Sequence, residues 1–342
     1  MENSYRKLEG LNQSLLKKIL VSPGAFIKQR DNQEDSEQSH FVFGSLVDDM
    51  LLSDIDIEDK YYILKDNSIS DVLKSITKYI FDYTDDPFRS RSTGEVADWP
   101  SEENMDEIIL AACNQYGYQN RWKSATRVEK IKKECLSYFV CLCQANGKKI
   151  ISQEDYYKAV TCVAGLKADE FTKEYFSKEK GKEIWKHKVI QFTYKDLAIK
   201  GELDKVFIDH NNKTIQPIDY KTTGGSVYGF NFDFWKFRYD FQSAVYFYGI
   251  SKDPEVQELL LKGYKLLNFK YIVVEKEMYN PPMIFNVPNE VMRIGFEGGT
   301  LSSGKKYEGF TDAIARYFFH KSMGKWNYPM EYYQKKSLNI KI

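Results

Sequence analysis

The chain has 342 residues, of which 42% are hydrophobic and 29% charged, and its 49 basic side chains balance 49 acidic ones. This composition excludes a disordered chain, and the zero net charge confines any nucleic-acid surface to a local patch. No apolar run approaches a membrane span. Cys113, Cys135, Cys141, Cys143 and Cys162 are an odd set without a signal-like segment ahead of them, so they read as reduced thiols of a cytoplasmic protein. The 25 Tyr and 22 Phe suit a base-stacking surface but read first as a Tyr-rich core.

In chain order, Gln13–Ile19 carries Leu15, Leu16, Ile19 and Leu20 at helical spacing and stops at Ser22-Pro23-Gly24. Residues 30–39 read as a polar loop. Phe41–Leu52 reads as a helix whose apolar side includes Phe43, Leu46, Val47, Met50 and Leu51, with Asp48 anomalous inside it. Residues 65–180 are mainly helical, with a polar loop near Asp85–Pro100 and helices over Ala125–Gln144 and Ser152–Phe176. The basic stretch Gly181–Lys188 leads into a strand over Trp185–Tyr194. Two β-type runs follow, Leu197–Asp209 and Thr214–Thr223. The pattern then predicts a helix over Phe237–Ile250, a strand over Tyr264–Glu275 and a last helix over Phe310–Met323. This order predicts an α/β fold, a central mixed sheet flanked by helices, with a helical insertion. It is read as a single domain over 1–342, with 65–180 the insertion and 181–275 the catalytic core.

The chemistry lies in the two β-type runs. Joined by a two-residue type I′ turn at Asn211-Asn212, where asparagine tolerates the positive φ required, they put Asp204 opposite Asp219. Lys221 then falls on the same face as Asp219. Carboxylates opposed at about 5 Å repel unless a cation lies between them. A hard ion such as Mg²⁺ resolves this with oxygen ligands and retained waters. It would also lower the pKa of a water and neutralise charge on a phosphate, as phosphodiester hydrolysis requires. Lys221 is the residue to orient that water and stabilise the transition state. From spacing alone, an exposed hairpin with solvated charges and a surface Asp219–Lys221 ion pair fits as well.

Gly201-Glu202-Leu203-Asp204, Ile218-Asp219-Tyr220-Lys221-Thr222-Thr223 and Gln242-Ser243-Ala244-Val245-Tyr246 resemble the G-x-x-D, D-x-K-T-T and Q-x-x-x-Y motifs of the RecB-like branch of PD-(D/E)XK nucleases. The i,i+4 spacing of Gln242 and Tyr246 puts both on one helix face, toward the active site or DNA. Ser14-Leu15-Leu16 with Ser22-Pro23, and Gly44-Ser45-Leu46-Val47-Asp48, are similar to the opening of RecE (exodeoxyribonuclease VIII)-like phage and prophage exonucleases. The stretches Lys149–Tyr156 and Glu183–Trp185 are similar to that family's approach to the core.

The resemblance implies a restriction-endonuclease-like PD-(D/E)XK core. It implies catalytic Asp204, Asp219, Lys221, Gln242 and Tyr246, and Mg²⁺, with Mn²⁺ as a substitute, held by Asp48, Asp204 and Asp219. Asp48 stands where the family usually has a histidine; a carboxylate is a harder ligand for the same ions. Asp49 competes for that role, and Glu183 is a candidate auxiliary acid. The implied activity is a DNA exonuclease acting from duplex ends, working as a homo-oligomeric ring with a single-strand annealing protein in phage-type recombination. An endonuclease or repair nuclease of the same superfamily, and a non-catalytic DNA-end-binding protein, are the rival readings.

Other signals are set aside. Gly299–Lys305 has a P-loop skeleton, but Lys306 follows where a magnesium-binding hydroxyl is needed, so it reads as a flexible loop. His40, His187, His210 and His320 lack zinc spacing and read as surface or hydrogen-bonded histidines. Every cysteine precedes Asp204, which argues against an iron–sulfur cluster. Tyr118–Lys123 and Trp235–Tyr239 alternate basic and aromatic residues, and the second, just ahead of Gln242, reads as a DNA contact.

Overall fold

The computed structural model describes residues 4–31, 39–64, 69–84, 99, 104–177 and 179–338. The polar loops expected at 30–39 and Asp85–Pro100 fall almost entirely outside these residues. Where the sequence suggests one domain with an insertion over 65–180, the chain divides into two compact units. One comprises Met1–Ser53 with Ala159–Ile342, the other Asp54–Lys158.

The Asp54–Lys158 unit is built on helices Asp71–Tyr83, Met105–Gln115 and Ser124–Ala145. Their apolar stripes, Leu73, Ile76 and Ile80 on the first and Val128, Ile131, Cys135 and Phe139 on the third, close one core. Ser70 caps the first helix by accepting from Leu73 N, and Asn146, left-handed at φ 47°, ends the third. Tyr61–Leu64 and Lys149–Ser152 form a parallel two-stranded ribbon. Cys113, Cys135 and Cys143 are buried and unbridged, packed as small apolar residues.

The larger unit carries the mixed sheet. Its main strands are β1 (Lys182–Tyr194), β2 (Leu197–Asp209), β3 (Thr214–Thr223), β4 (Lys270–Glu275) and β5 (Met283–Asn286). β1, β2 and β3 form an antiparallel meander; β4 runs parallel to β3 after a helical crossover, and β5 antiparallel to β4. The short strands Leu11–Asn12 and Lys265–Leu266 add to β2 and β3.

The flanking helices are α1 (Gln13–Val21), α2 (Pro23–Asp31), α3 (Ser39–Leu52), α4 (Phe230–Lys236), α5 (Tyr239–Lys252), α6 (Asn289–Glu297) and α7 (Phe310–Met323). α5 packs on β1 and β2 and is backed by α6, and α3 packs on β3. The expected α/β class, a central mixed sheet flanked by helices, is the one observed. Among the described residues no helix is long and apolar enough to cross a membrane.

Several local expectations shift. Ser22-Pro23 ends one helix and also starts the next, since Ser22 Oγ accepts from Ala25 N and Pro23 suits a first turn. The helix expected over Phe237–Ile250 is observed as α5, and a further helix, α4, precedes it, the two parted at Arg238, which is left-handed at φ 58°. Gly299–Lys305, expected as a flexible loop, is part of a small hairpin: Gly299–Thr300 pairs antiparallel with Lys306–Tyr307.

The hairpin turn also differs, yet its register is as expected. Asp209 pairs with Thr214 and Lys205 with Ile218, so four residues, His210–Lys213, bridge the strands. Asp209 Oδ1 accepts from Asn211 N and Asn212 N, and the positive φ falls on Lys213, at 51°. Lengthening the turn by one residue on each side leaves its centre unmoved, and the centre sets the register.

Candidate active site

β2 and β3 part after the Lys205–Ile218 pair. β1 follows β2 on its other edge, and β4 follows β3 from Ile218 to Thr223. The fork between them is where the chemistry gathers. Asp204 Oδ2 accepts from Tyr220 N at 2.8 Å, so its carboxylate takes over from the main-chain partner that β3 loses there. Asp219, 1% exposed, accepts at Oδ1 from Gln242 Nε2 at 2.8 Å and pairs at Oδ2 with the Lys221 ammonium. Lys221 Nζ lies 5.2 Å from the Tyr239 ring centre and 5.9 Å from that of Tyr271. Strand alternation sends Lys205 and Tyr220 to the opposite face, where Lys205 Nζ donates to Tyr175 O and sits 4.3 Å from the Phe176 ring.

Helix α3 adds Asp48. A Cβ on Gly44 would come within 3.3 Å of Thr222 Oγ1, so α3 lies close against β3, and Asp48 is one turn along the same helix face. Its Oδ1 is buried without a hydrogen-bond partner. Asp49, the competing candidate, instead accepts from Ser53 Oγ at 3.1 Å.

The electrostatics follow from burial. It pushes the Asp48 carboxyl up to about 6, with His187 opposing. Burial, then the Asp48 charge, takes Asp204 to about 6. Burial, then the Asp204 charge, takes Asp219 to about 7. Burial opposes the charge on Lys221, but Asp219 and Asp204 outweigh it and raise the lysine above its ordinary value. Burial lowers nearby Lys17 on α1 to about 8. Three carboxylates thus share this cluster with one tightly paired ammonium.

That donor set fits a hard divalent cation in chemistry and charge, and the unpartnered Asp48 oxygen is the feature that most asks for one. Asp48, Asp204 and Asp219 would hold it. The cage is not preassembled: among the described residues no three His, Cys, Asp or Glu side chains converge at metal-ligand spacing. Asp219 in particular is engaged by Gln242 and Lys221.

Gln242 and Tyr246 separate in role. Gln242 holds Asp219. Tyr246 is buried one turn on, its ring so close to β2 that a Cβ at Gly201 would come within 2.8 Å of it; it packs behind the site. Glu183 is not at the site. It pairs opposite Ile208 near the turn end of the hairpin, accepts from Trp185 Nε1 and meets His210 Nε2 at 3.2 Å.

His187, which the sequence reads as an ordinary histidine, belongs here. The β1–β2 ladder skips it, opposite Asp204, and its backbone is left-handed at φ 48°. Nδ1 is 3.4 Å from Glu202 Oε1, while Nε2 is buried and unpartnered. Glu202, Asp48 and Asp204 all favour its charged form, the Glu202 contact most. No spacing rule finds it, because the ladder irregularity that admits it is a property of the sheet.

No family model matches the chain. No curated protein matches it either. Among solved structures it is similar to one described as "Putative exonuclease" from Eubacterium rectale, at 12% identity and a TM-score of 0.46, covering 98% of this chain and 91% of that one. A likeness of that size carries no argument about function, which rests on the site.

Proposed function

We propose that this protein is a divalent-metal-dependent deoxyribonuclease of the PD-(D/E)XK type, an exonuclease acting from duplex ends. The observation that carries the reading is the fork itself, where Asp204, Asp219 and Lys221 meet Asp48 and its unpartnered oxygen. When bound, Mg²⁺ or Mn²⁺ would supply Lewis acidity toward a phosphate oxygen and make a water more acidic. The protein's own groups do the rest. Tyr220 N fixes Asp204 and Gln242 fixes Asp219. Lys221, firmly protonated between its carboxylates, stabilises negative charge growing on the phosphate. The Tyr239 and Tyr271 rings flank its ammonium and add their own attraction for the positive charge.

Action from ends, the ring assembly and a single-strand annealing partner come from the motif resemblance alone. The test is digestion of linear duplex labelled at either end, beside closed circular duplex, with Mg²⁺ and then with EDTA. Loss of the linear form only, with Lys221→Ala inactive but still binding DNA, is the expected result. Cutting of the circle moves the reading to an endonuclease. The lock of Asp219 onto Gln242 and Lys221 favours one rival, a DNA-end-binding protein without hydrolysis, and binding with no metal-dependent cutting would select it.

A further inference from the structure

We propose that Phe232, Lys236 and Phe237 form a ridge that binds a single DNA strand and leads it to the fork; this rests on the nuclease reading. α4 explains the ridge. Phe230 and Phe234 occupy its buried face, with Phe230 stacked on Tyr239 and packed against the tilted rings of Tyr271 and Phe285. The opposite face, again at i,i+4 spacing, presents Phe232 and Lys236. Phe232 is 72% exposed and Phe237 48%, an outlay of aromatic surface that the core does not use.

The ridge is continuous with the site. Lys221 Nζ lies over Tyr239; the Tyr239 and Phe237 ring centres are 5.9 Å apart; Lys236 Nζ is 5.0 Å from Phe237 and 5.9 Å from Phe232. Lys17 Nζ donates to Phe237 O at 3.4 Å from the other side. Exposed rings alternate with ammonium groups. That pattern fits a strand whose unpaired bases stack while its phosphates meet cations, and it is indifferent to sequence because every base has a π face. A duplex hides its base faces and cannot use the rings.

The same geometry corrects what the sequence suggests for Trp235–Tyr239. Trp235 packs on Tyr307 at 4.9 Å, and Arg238 is bound to Asp240 and to Glu308 O. The basic and aromatic residues left for a ligand are Lys236 and Phe237.

The experiment is fluorescence anisotropy of a labelled oligothymidylate with the full chain in EDTA, wild type against Phe232→Ala/Phe237→Ala. Both residues are exposed, so an unchanged melting temperature checks the fold. The double variant is expected to bind the oligonucleotide about tenfold or more weakly, with a smaller change for blunt duplex. Equal binding by the variant, or none by the wild type, overturns the ridge. Mg²⁺-dependent cutting assayed on the same samples separates the two ideas. A wild type that cuts, beside a variant that binds normally, discards the ridge and keeps the nuclease. A wild type that does not cut, beside a variant that has lost binding, discards the nuclease and keeps the ridge.

Discussion

The two ends of the β2–β3 hairpin treat the same residue type in opposite ways. At the turn, Asp209 accepts from Asn211 N, Asn212 N and Asn212 Nδ2 at 2.8–3.0 Å. The Asn212 N–H foremost holds its carboxyl below the ordinary aspartate range. At the fork, burial and mutual repulsion hold Asp204 and Asp219 at about 6 and 7. One end spends its carboxylate on closing a loop. The other crowds carboxylates together out of water, which opposes folding and is the arrangement a cationic ligand would relieve.

The largest effect that tests this contrast is on rate. Asp219→Asn is expected to lower metal-dependent DNA hydrolysis by about 10²–10³-fold or more, yet to leave the metal-free melting temperature unchanged or raised, because a repelled charge is removed. Kinetics and thermal melting on one preparation check both. A clear drop in melting temperature would mean that Asp219 is a structural residue like Asp209.

Asp209→Ala should do the reverse. Losing its hydrogen bonds is expected to cost about 1–2 kcal/mol of stability, read by urea denaturation, while turnover per folded molecule stays at the wild-type value.

The two ends also differ in how stability depends on pH. The folded fork carboxylates titrate above the ordinary 3.8, so between about pH 4 and 7 the native state binds more protons than the unfolded one. Their contribution therefore falls as pH rises through that window. Asp209 has the opposite sign: its contribution is full above the ordinary aspartate value and is lost as pH falls through its depressed folded one. Melting temperatures in EDTA should decline from pH 5 to 7.5, and Mg²⁺ or Mn²⁺ at pH 7.5 should restore the loss. A flat profile would show that the fork carries no excess charge.

The smallest effect concerns the far face of β2. Lys205, 2% exposed, is pushed down to about 7 by burial, while the unfolded chain still holds the proton up to about 10.5. Stability from this residue therefore rises between pH 7 and 10. Lys205→Met should remove that rise and lift the melting temperature slightly at pH 7, limited by the Tyr175 O acceptor it leaves.

The strands Leu197–Asp209 and Thr214–Thr223 and the helix Phe310–Met323 were legible to the residue, because alternation and amphipathic spacing are local signals. So was the register, which puts Asp204 and Asp219 on one face. The four-residue turn was hidden because Asp209, counted as the end of a strand, supplies the turn's hydrogen bonds. Helix α4 was hidden because Arg238, which parts it from α5 at φ 58°, gives no breaker signal; its ties to Asp240 and Glu308 O hold it there.

By itself, then, the sequence determined the two hairpin strands, how they align and which of their charges share a face, since all of that follows from periodicity and chain connectivity. The tertiary structure alone decided that the strands part beyond Lys205, that Asp48 lies among the fork's charges with an unpartnered oxygen while Asp49 accepts from Ser53, that His187 lies opposite Asp204 and that Glu183 lies away from the fork. Those outcomes depend on how closely α3 packs on β3 and where the β1–β2 ladder is interrupted. They are distances between segments remote in sequence, and no local pattern encodes them.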